Sequence, residues 1–176
     1  MIPPIPSRNE FPTLIDHFGF KRAIEVGVWE GSFSSHLLQH SKLDELVSLD
    51  PWIVFHHTEP TTPAHREALA RAALMPFGAR SQVLKESSPH AATQFLDGYF
   101  DFAYIDGSHR YRAVRNDINA WWPKVRIGGV LAGHDYNRGR QCNVIPAVNE
   151  FITKNNCVLH LTLNDPYPSW WILKGQ

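Results

Sequence analysis

The stretch that decides the fold reads FDFAYIDGSHRY over residues 100–111 and GGVLAGHDY over residues 128–136. In each half a short apolar run ends abruptly in an acid, Asp106 or Asp135, with a histidine close by. Ligands of open parallel sheets bind outside the carboxyl ends of the strands. The pattern therefore predicts that two acids and two imidazoles converge in one crevice. The alternative is that the acids only cap the elements that follow them.

The alternation of strands and helices extends over the rest of the chain. Apolar runs predict five buried strands at residues 22–28, 45–49, 81–85, 102–105 and 129–133. Helical spacing and helix-start signals predict helices at residues 10–17, 31–40, 62–74, 88–96, 111–122 and 144–153. Two further runs, 158–163 and 170–173, lie too close together for a crossover helix and predict an antiparallel hairpin. The predicted fold is α/β, with a doubly wound, mostly parallel seven-stranded sheet that ends in this C-terminal hairpin.

Composition and charge exclude several functional classes. A chain of 176 residues with 43% hydrophobic content predicts one folded domain over residues 1–176. Seventeen basic residues balance seventeen acidic ones, so no nucleic-acid surface is predicted. No apolar run reaches membrane-spanning length, and the first residues lack a signal-peptide pattern. With only two cysteines, the expected location is cytoplasmic.

The turn after the first strand predicts a nucleoside site. It reads Glu25-x-Gly27-x-x-x-Gly31, and Asp50 follows the second strand 23 residues beyond Gly27. Glycines let the backbone approach a ligand, and an acid at this position can accept both hydroxyls of a ribose. The acidic surround of Glu25 and Glu30 suits a cationic methionine-type cofactor better than a pyrophosphate. The alternative is that the glycines only serve strand–helix packing.

These motifs resemble those of class I S-adenosylmethionine-dependent methyltransferases. The glycine turn with its acidic partner Asp50 is similar to the first motif of that family. The stretches 104–111 and 128–136 resemble the bacterial group that includes macrocin O-methyltransferase and cephalosporin-hydroxylase-like proteins. The resemblance spans residues 21–174 and implies a Rossmann-like fold with a reversed last strand.

The resemblance also implies a binding set for the cofactor, S-adenosylmethionine. The residues expected to bind it are Glu25, Gly27, Gly31, Asp50, Trp52, Glu86, Ser87 and Asp106. Glu25 and the two glycines would contact the methionine moiety and Asp50 the ribose. Glu86 and Ser87 would lie near the adenine, whereas Trp52 would pack on the adenine face or belong to the core. Asp106 and Asp135 are the expected ligands of a magnesium or manganese ion.

The expected reaction is methyl transfer to a hydroxyl of a small molecule. His109 is the expected general base, and His134 is the alternative base because it replaces one acid of the macrocin-type pair. His56, His57 and His65 would border the acceptor pocket, or are ordinary surface residues. Two alternatives remain open: a non-catalytic module that binds S-adenosylmethionine or S-adenosylhomocysteine, and a metal-dependent hydrolase or hydroxylase-like enzyme. Self-association is also left open as a partnership.

Overall fold

A computed structural model describes residues 2–54, 61–137 and 143–175. The strands in these ranges are β1 Arg22–Val26, β2 Glu45–Leu49, β3 Ser81–Leu84, β4 Phe100–Ile105, β5 Val125–Gly133, β6 His160–Leu161 and β7 Trp170–Leu173. They form one seven-stranded sheet in the order β3-β2-β1-β4-β5-β7-β6. Strands β1 to β5 pair in parallel, and β7 lies antiparallel between β5 and β6. The predicted fold class is confirmed.

Helices cover both faces of the sheet. They are α1 Phe11–Phe18, α2 Ser32–His40, α3 Pro63–Leu74, α4 Ser88–Ala91, α5 Tyr111–Trp121 and α6 Val144–Asn155. Side chains of α4, α5 and α6 share one core with Ile24 and Val26 of β1. Side chains of α1, α2 and α3 share a second core with Ala23, which points to the opposite face of the same strand. None of these helices, within the described ranges, has the length and apolar character needed to cross a membrane.

Several boundaries follow from local chemistry. Helix α3 begins as predicted, because the Thr62 hydroxyl accepts a hydrogen bond from the backbone N–H of His65 and Pro63 stands at the first helical position. Helix α1 ends at Gly19 in the left-handed conformation. Strand β1 was predicted to continue to Val28, but it stops at Val26 because the next residue turns at a positive φ. The carboxyl ends of β1, β2, β3, β4 and β5 therefore open at one edge.

Three other boundaries differ from the prediction. Strand β5 begins four residues early, at Val125, and reaches the predicted segment through a register shift against β4. The predicted helix 88–96 breaks after Ala91 into a 3-10 turn. Strand β6 contains two residues instead of six, because the backbone N–H groups of Leu163 and Asn164 donate to the carbonyl of Pro6. The hairpin loop thus holds the N-terminal segment.

Candidate active site

The loops after β1 and β4 touch each other at Gly27. This residue has a φ of 93°, and a Cβ there would lie 2.3 Å from the carbonyl oxygen of Asp106 and 2.6 Å from the nitrogen of Gly107. At Gly31, which has a φ of 85°, a Cβ would lie 3.1 Å from the Cα of Ala70 in α3. Both predicted glycines are therefore required for close packing, and Gly27 fixes the position of Asp106 against β1.

Asp50 organises the glycine turn. Its Oδ2 accepts hydrogen bonds from the backbone N–H groups of Val28 and Trp29, each at 3.0 Å, and its Oδ1 accepts one from Trp52 at 2.7 Å. Burial raises the pKa of Asp50, although these three bonds oppose the rise. A carboxylate has about four lone-pair sites, so about one remains for a ligand. Contact with both ribose hydroxyls would require one backbone bond to give way.

The three residues expected at the adenine differ in their surroundings. The side chain of Trp52 is 4% exposed and donates its indole N–H to the carbonyl of Trp29 at 2.8 Å. A face-on contact with adenine would need this side chain to leave the core, so the structure favours the core interpretation. Glu86 and Ser87 follow β3 at the open edge, where Oε1 of Glu86 accepts the backbone N–H of Ser87 at 2.7 Å. Glu86 also faces His90 at 3.2 Å.

Glu25 is a buried acid at the same edge, with an exposed fraction of 1%. Its Oε2 accepts a hydrogen bond from the hydroxyl of Ser34, which in turn lies 2.6 Å from the hydroxyl of Ser48. Burial raises the pKa of Glu25 to about 8, against the lowering effect of Arg8 and of the Ser34 bond. Because a nearby cation favours the charged form, this environment suits the ammonium group of a bound amino acid.

Arg8 completes this part of the site and was not predicted. Its Nη2 lies 3.6 Å from Oε1 of Glu25 and 2.8 Å from Oδ2 of Asp106. The guanidinium stacks 4.0 Å from the ring centroid of Phe33 and 5.1 Å from that of Tyr104. Arg8 belongs to a short N-terminal turn without a recognisable motif, so no local signal in the sequence indicated that it reaches this edge.

The four residues of the opening motif lie together as predicted; we call Asp106, His109, His134 and Asp135 the acid–histidine cluster. Nε2 of His109 lies 2.9 Å from Oδ2 of Asp135 and 3.8 Å from Oδ1 of Asp106. Nδ1 of His134 lies 3.3 Å from the same oxygen of Asp135 and 3.6 Å from Oδ1 of Asp106. The predicted convergence is confirmed. The helices that follow have Arg110 and Asn143 at their N-caps, so helix capping does not explain the two acids.

The cluster holds its own charges in pairs. Hydrogen bonds to Asp106 and Asp135 raise the pKa of His109 to about 10. Burial opposes ionisation of Asp135, but the bonds from His109 and His134 hold the pKa of that carboxyl well below its usual range. His109 is therefore an imidazolium near neutral pH. In this ion-paired state it cannot accept a proton, which argues against the expected role of His109 as general base.

The donor set suits a divalent ion. Donor atoms of Asp106, His134 and Asp135 lie within 4.8 Å of one another. The two acids are the ligands expected from the sequence, and the structure adds an imidazole nitrogen to them. Two carboxylates with one imidazole suit manganese or another first-row metal better than magnesium, which prefers oxygen ligands alone. His56 and His57, expected at the acceptor pocket, lie outside the described residues.

Comparisons with known sequences agree with the geometry. A family model described as a methyltransferase domain matches residues 24–136, which include the glycine turn and the acid–histidine cluster. An uncharacterised protein of Acanthamoeba polyphaga mimivirus is 29% identical over 137 residues, covering 73% of this chain and 58% of that protein. The chain thus spans less than two thirds of the length of this relative.

Solved structures share the fold at low sequence identity. A candidate caffeoyl-CoA O-methyltransferase from Staphylococcus aureus has a TM-score of 0.72 at 14% identity, covering 94% of this chain and 82% of that one. An O-methyltransferase from Bacillus cereus, solved in complex with SAH, has a TM-score of 0.69 at 14% identity, covering 95% and 80%. At this identity the likeness shows the fold, and the family match carries the assignment. The chain belongs to the methyltransferase domain family and has the fold of class I S-adenosylmethionine-dependent methyltransferases.

Proposed function

We propose that this chain transfers the methyl group of S-adenosylmethionine to a hydroxyl of a small molecule, beside the acid–histidine cluster. The observation that carries the proposal is the convergence of two acids and two imidazoles at the ends of β4 and β5, next to the glycine turn. The turn supplies a cofactor site, and the cluster supplies groups that bind and deprotonate a hydroxyl.

The reaction is an in-line displacement. A lone pair of the acceptor oxygen forms a bond to the methyl carbon, and the carbon–sulfur bond breaks with its electrons going to sulfur. The products are a methyl ether and S-adenosylhomocysteine, and the hydroxyl proton must leave. The chain therefore has to align the oxygen with the methyl group and provide a route for the proton.

His134 is the proton acceptor that the geometry favours. The ion pair with Asp135 keeps His109 protonated near neutral pH, so we assign His109 the role of fixing that carboxylate. Nδ1 of His134 faces the same two acids, but at 3.3 and 3.6 Å its contacts are longer than the 2.9 Å pair of His109, and its side chain is 19% exposed, so a ligand can reach part of it. Of the two bases expected from the sequence, His109 and its alternative His134, the proposal takes the alternative.

A metal would act at the same place. Manganese held by Asp106, His134 and Asp135 would lower the pKa of a bound hydroxyl as a Lewis acid. Because His134 cannot ligate a metal and accept a proton with the same nitrogen, the two modes of activation make different predictions. With metal, chelation lowers the rate. Without metal, the rate depends on the His134 imidazole and is insensitive to chelation.

The test is a labelled methyl-transfer screen of catechols, sugars and other hydroxylated metabolites, run with chelator and with added manganese or magnesium. His134→Gln and Asp135→Asn should each lower turnover by at least 10²-fold while the affinity for S-adenosylhomocysteine changes little. His40→Gln, an exposed histidine on α2, is the matched control and should retain the wild-type rate. Bound cofactor without transfer to any hydroxyl would refute the proposal and favour a binding module.

A further inference from the structure

We propose that Arg8 binds the α-carboxylate of the cofactor and makes the site specific for S-adenosylmethionine over ligands that lack this group. The inference rests on the proposed position of the cofactor at the glycine turn, and it is independent of the acceptor. S-Adenosylmethionine carries a sulfonium, an ammonium and a carboxylate. The first two suit an acidic pocket, whereas the third requires a cation within it.

The charges around Glu25 define this requirement. Glu25 lies on β1, Asp106 directly follows the neighbouring strand β4, and both contact the same nitrogen of Arg8. Among the described residues that form ion pairs with these two acids, Arg8 carries the only charge that does not depend on the protonation of a histidine. Without it, the carboxylate of the cofactor would face two acids with no fixed positive partner.

The guanidinium has donors to spare. Both ion pairs use Nη2, and Nε is buried without an acceptor among the described residues, so the exposed part of the guanidinium is the part that a ligand can reach. Arginine offers five N–H donors in a planar fork that matches a carboxylate. The side chain is 24% exposed, so a ligand at this edge can reach part of it. The guanidinium lies over the Phe33 ring, 4.0 Å from its centroid, and this contact limits the orientations that the guanidinium can adopt.

The fold delivers Arg8 to this position through its last hairpin. The backbone N–H of Arg8 donates to Oδ2 of Asp165 at 2.6 Å, and the carbonyl of Pro6 accepts from Leu163 and Asn164 at 3.1 and 2.8 Å. The side chain of Ile5 is 4% exposed and packs into the core that α1 and α2 share, which also holds the segment in place. Two backbone–backbone hydrogen bonds, one bond to the Asp165 side chain and a buried Ile5 thus hold the segment that carries Arg8. This arrangement is more than a surface ion pair requires.

The test compares two ligands that differ only in the carboxylate. S-Adenosylmethionine and decarboxylated S-adenosylmethionine share the adenosine, the sulfonium and the amine. Calorimetry on the wild type should give about 10- to 100-fold tighter binding of the carboxylate-bearing ligand. Arg8→Met should reduce this ratio to about threefold or less, by weakening the first ligand and leaving the second unchanged or tighter. Arg22→Met is the matched control, because Arg22 lies at the amino end of β1, away from the site, and this variant should keep the full ratio.

The outcomes separate this inference from the function. A wild type that binds neither ligand refutes the cofactor position and the role of Arg8 with it. A wild type that binds both equally well refutes the role of Arg8 and leaves the cofactor assignment intact. If Arg8→Met does not fold, Arg8→Lys provides the test, because it keeps the charge but loses the fork. A full ratio in Arg8→Lys would then assign Arg8 to charge balance only.

Discussion

Replacing Gly27 with alanine tests whether the contact between the β1 and β4 loops positions the site. The new Cβ would lie 2.3 Å from the carbonyl oxygen of Asp106 and 2.6 Å from the nitrogen of Gly107. Both neighbours are backbone atoms, which cannot rotate away as a side chain would. The overlap must therefore be relieved by moving the two loops apart, and this movement carries Asp106 away from β1.

The expected cost has two parts. An alanine at a φ of 93° loses about 1–2 kcal/mol because its Cβ crowds the backbone. Overpacking a closely packed site costs about 1–3 kcal/mol more. Gly19 provides the control, because it has a φ of 66° and nothing within 4 Å of a Cβ. Gly19→Ala should therefore lose only the first part, and the difference between the two variants isolates the loop contact.

Urea denaturation gives the free energy of unfolding of each variant, and calorimetry gives its affinity for S-adenosylhomocysteine. Gly27→Ala should lose about 2–5 kcal/mol of stability in total and bind the ligand at least tenfold more weakly. Gly19→Ala should lose about 1–2 kcal/mol and bind with wild-type affinity. Equal losses of stability in the two variants would show that the loops adapt freely, and the argument from Gly27 to the position of Asp106 would fail.

Three further predictions concern other acids at or near the open edge. Burial raises the pKa of Asp117 from 3.8 to about 6. The protonated carboxyl therefore stabilises the fold below about pH 4, and this stabilisation is lost as the pH rises through about 6. The free energy of unfolding should fall by about 3 kcal/mol across this range. Asp117→Asn should remove this slope from urea denaturation measured at several pH values, and an unchanged slope would contradict the assignment. Asp50→Asn should lower both the free energy of unfolding and the affinity for S-adenosylhomocysteine, because it places an N–H₂ group where backbone N–H donors need acceptors; a loss of affinity alone would indicate a ribose contact only. Asp135→Asn should weaken manganese binding at least tenfold in an electron paramagnetic resonance titration, whereas Glu150→Gln on α6 should not; equal affinities would remove Asp135 from the ligand set.

The sheet was predictable because its signals are local. Runs of four to seven largely apolar residues between turn signals indicate the strands, and an acid after a run marks the edge where ligands bind. The boundary errors arose either from a distant segment or from a local glycine conformation that the apolar pattern does not reveal. Strand β6 is short because its continuation bonds to Pro6, and β5 begins early through a glycine-containing irregularity that looks like a turn in the sequence.

The acid–histidine cluster was predictable in its membership but not in its charge states. Position along the chain indicates that His109 and Asp135 share an edge, but not that they lie 2.9 Å apart. That distance converts a free imidazole, with a pKa suited to a base, into an ion-paired imidazolium. No local pattern predicts the position of Arg8, because the Asp165 side chain that binds its backbone N–H is 157 residues away in the chain.

The charges at the open edge form two groups with different purposes. In the first, His109 and His134 face Asp106 and Asp135. Each acid therefore has two imidazole partners, and one imidazole can give up a proton while the other still faces the acid. In the second, Arg8 lies 3.6 Å from the buried Glu25 and 2.8 Å from Asp106, so Asp106 belongs to both groups. A zwitterionic amino acid adds one cation and one anion to such a pair, so each charge can find an opposite partner without a net change. A ligand with the amine alone would leave Arg8 and the amine competing for the same acids, and this competition is the physical origin of the selectivity that we propose.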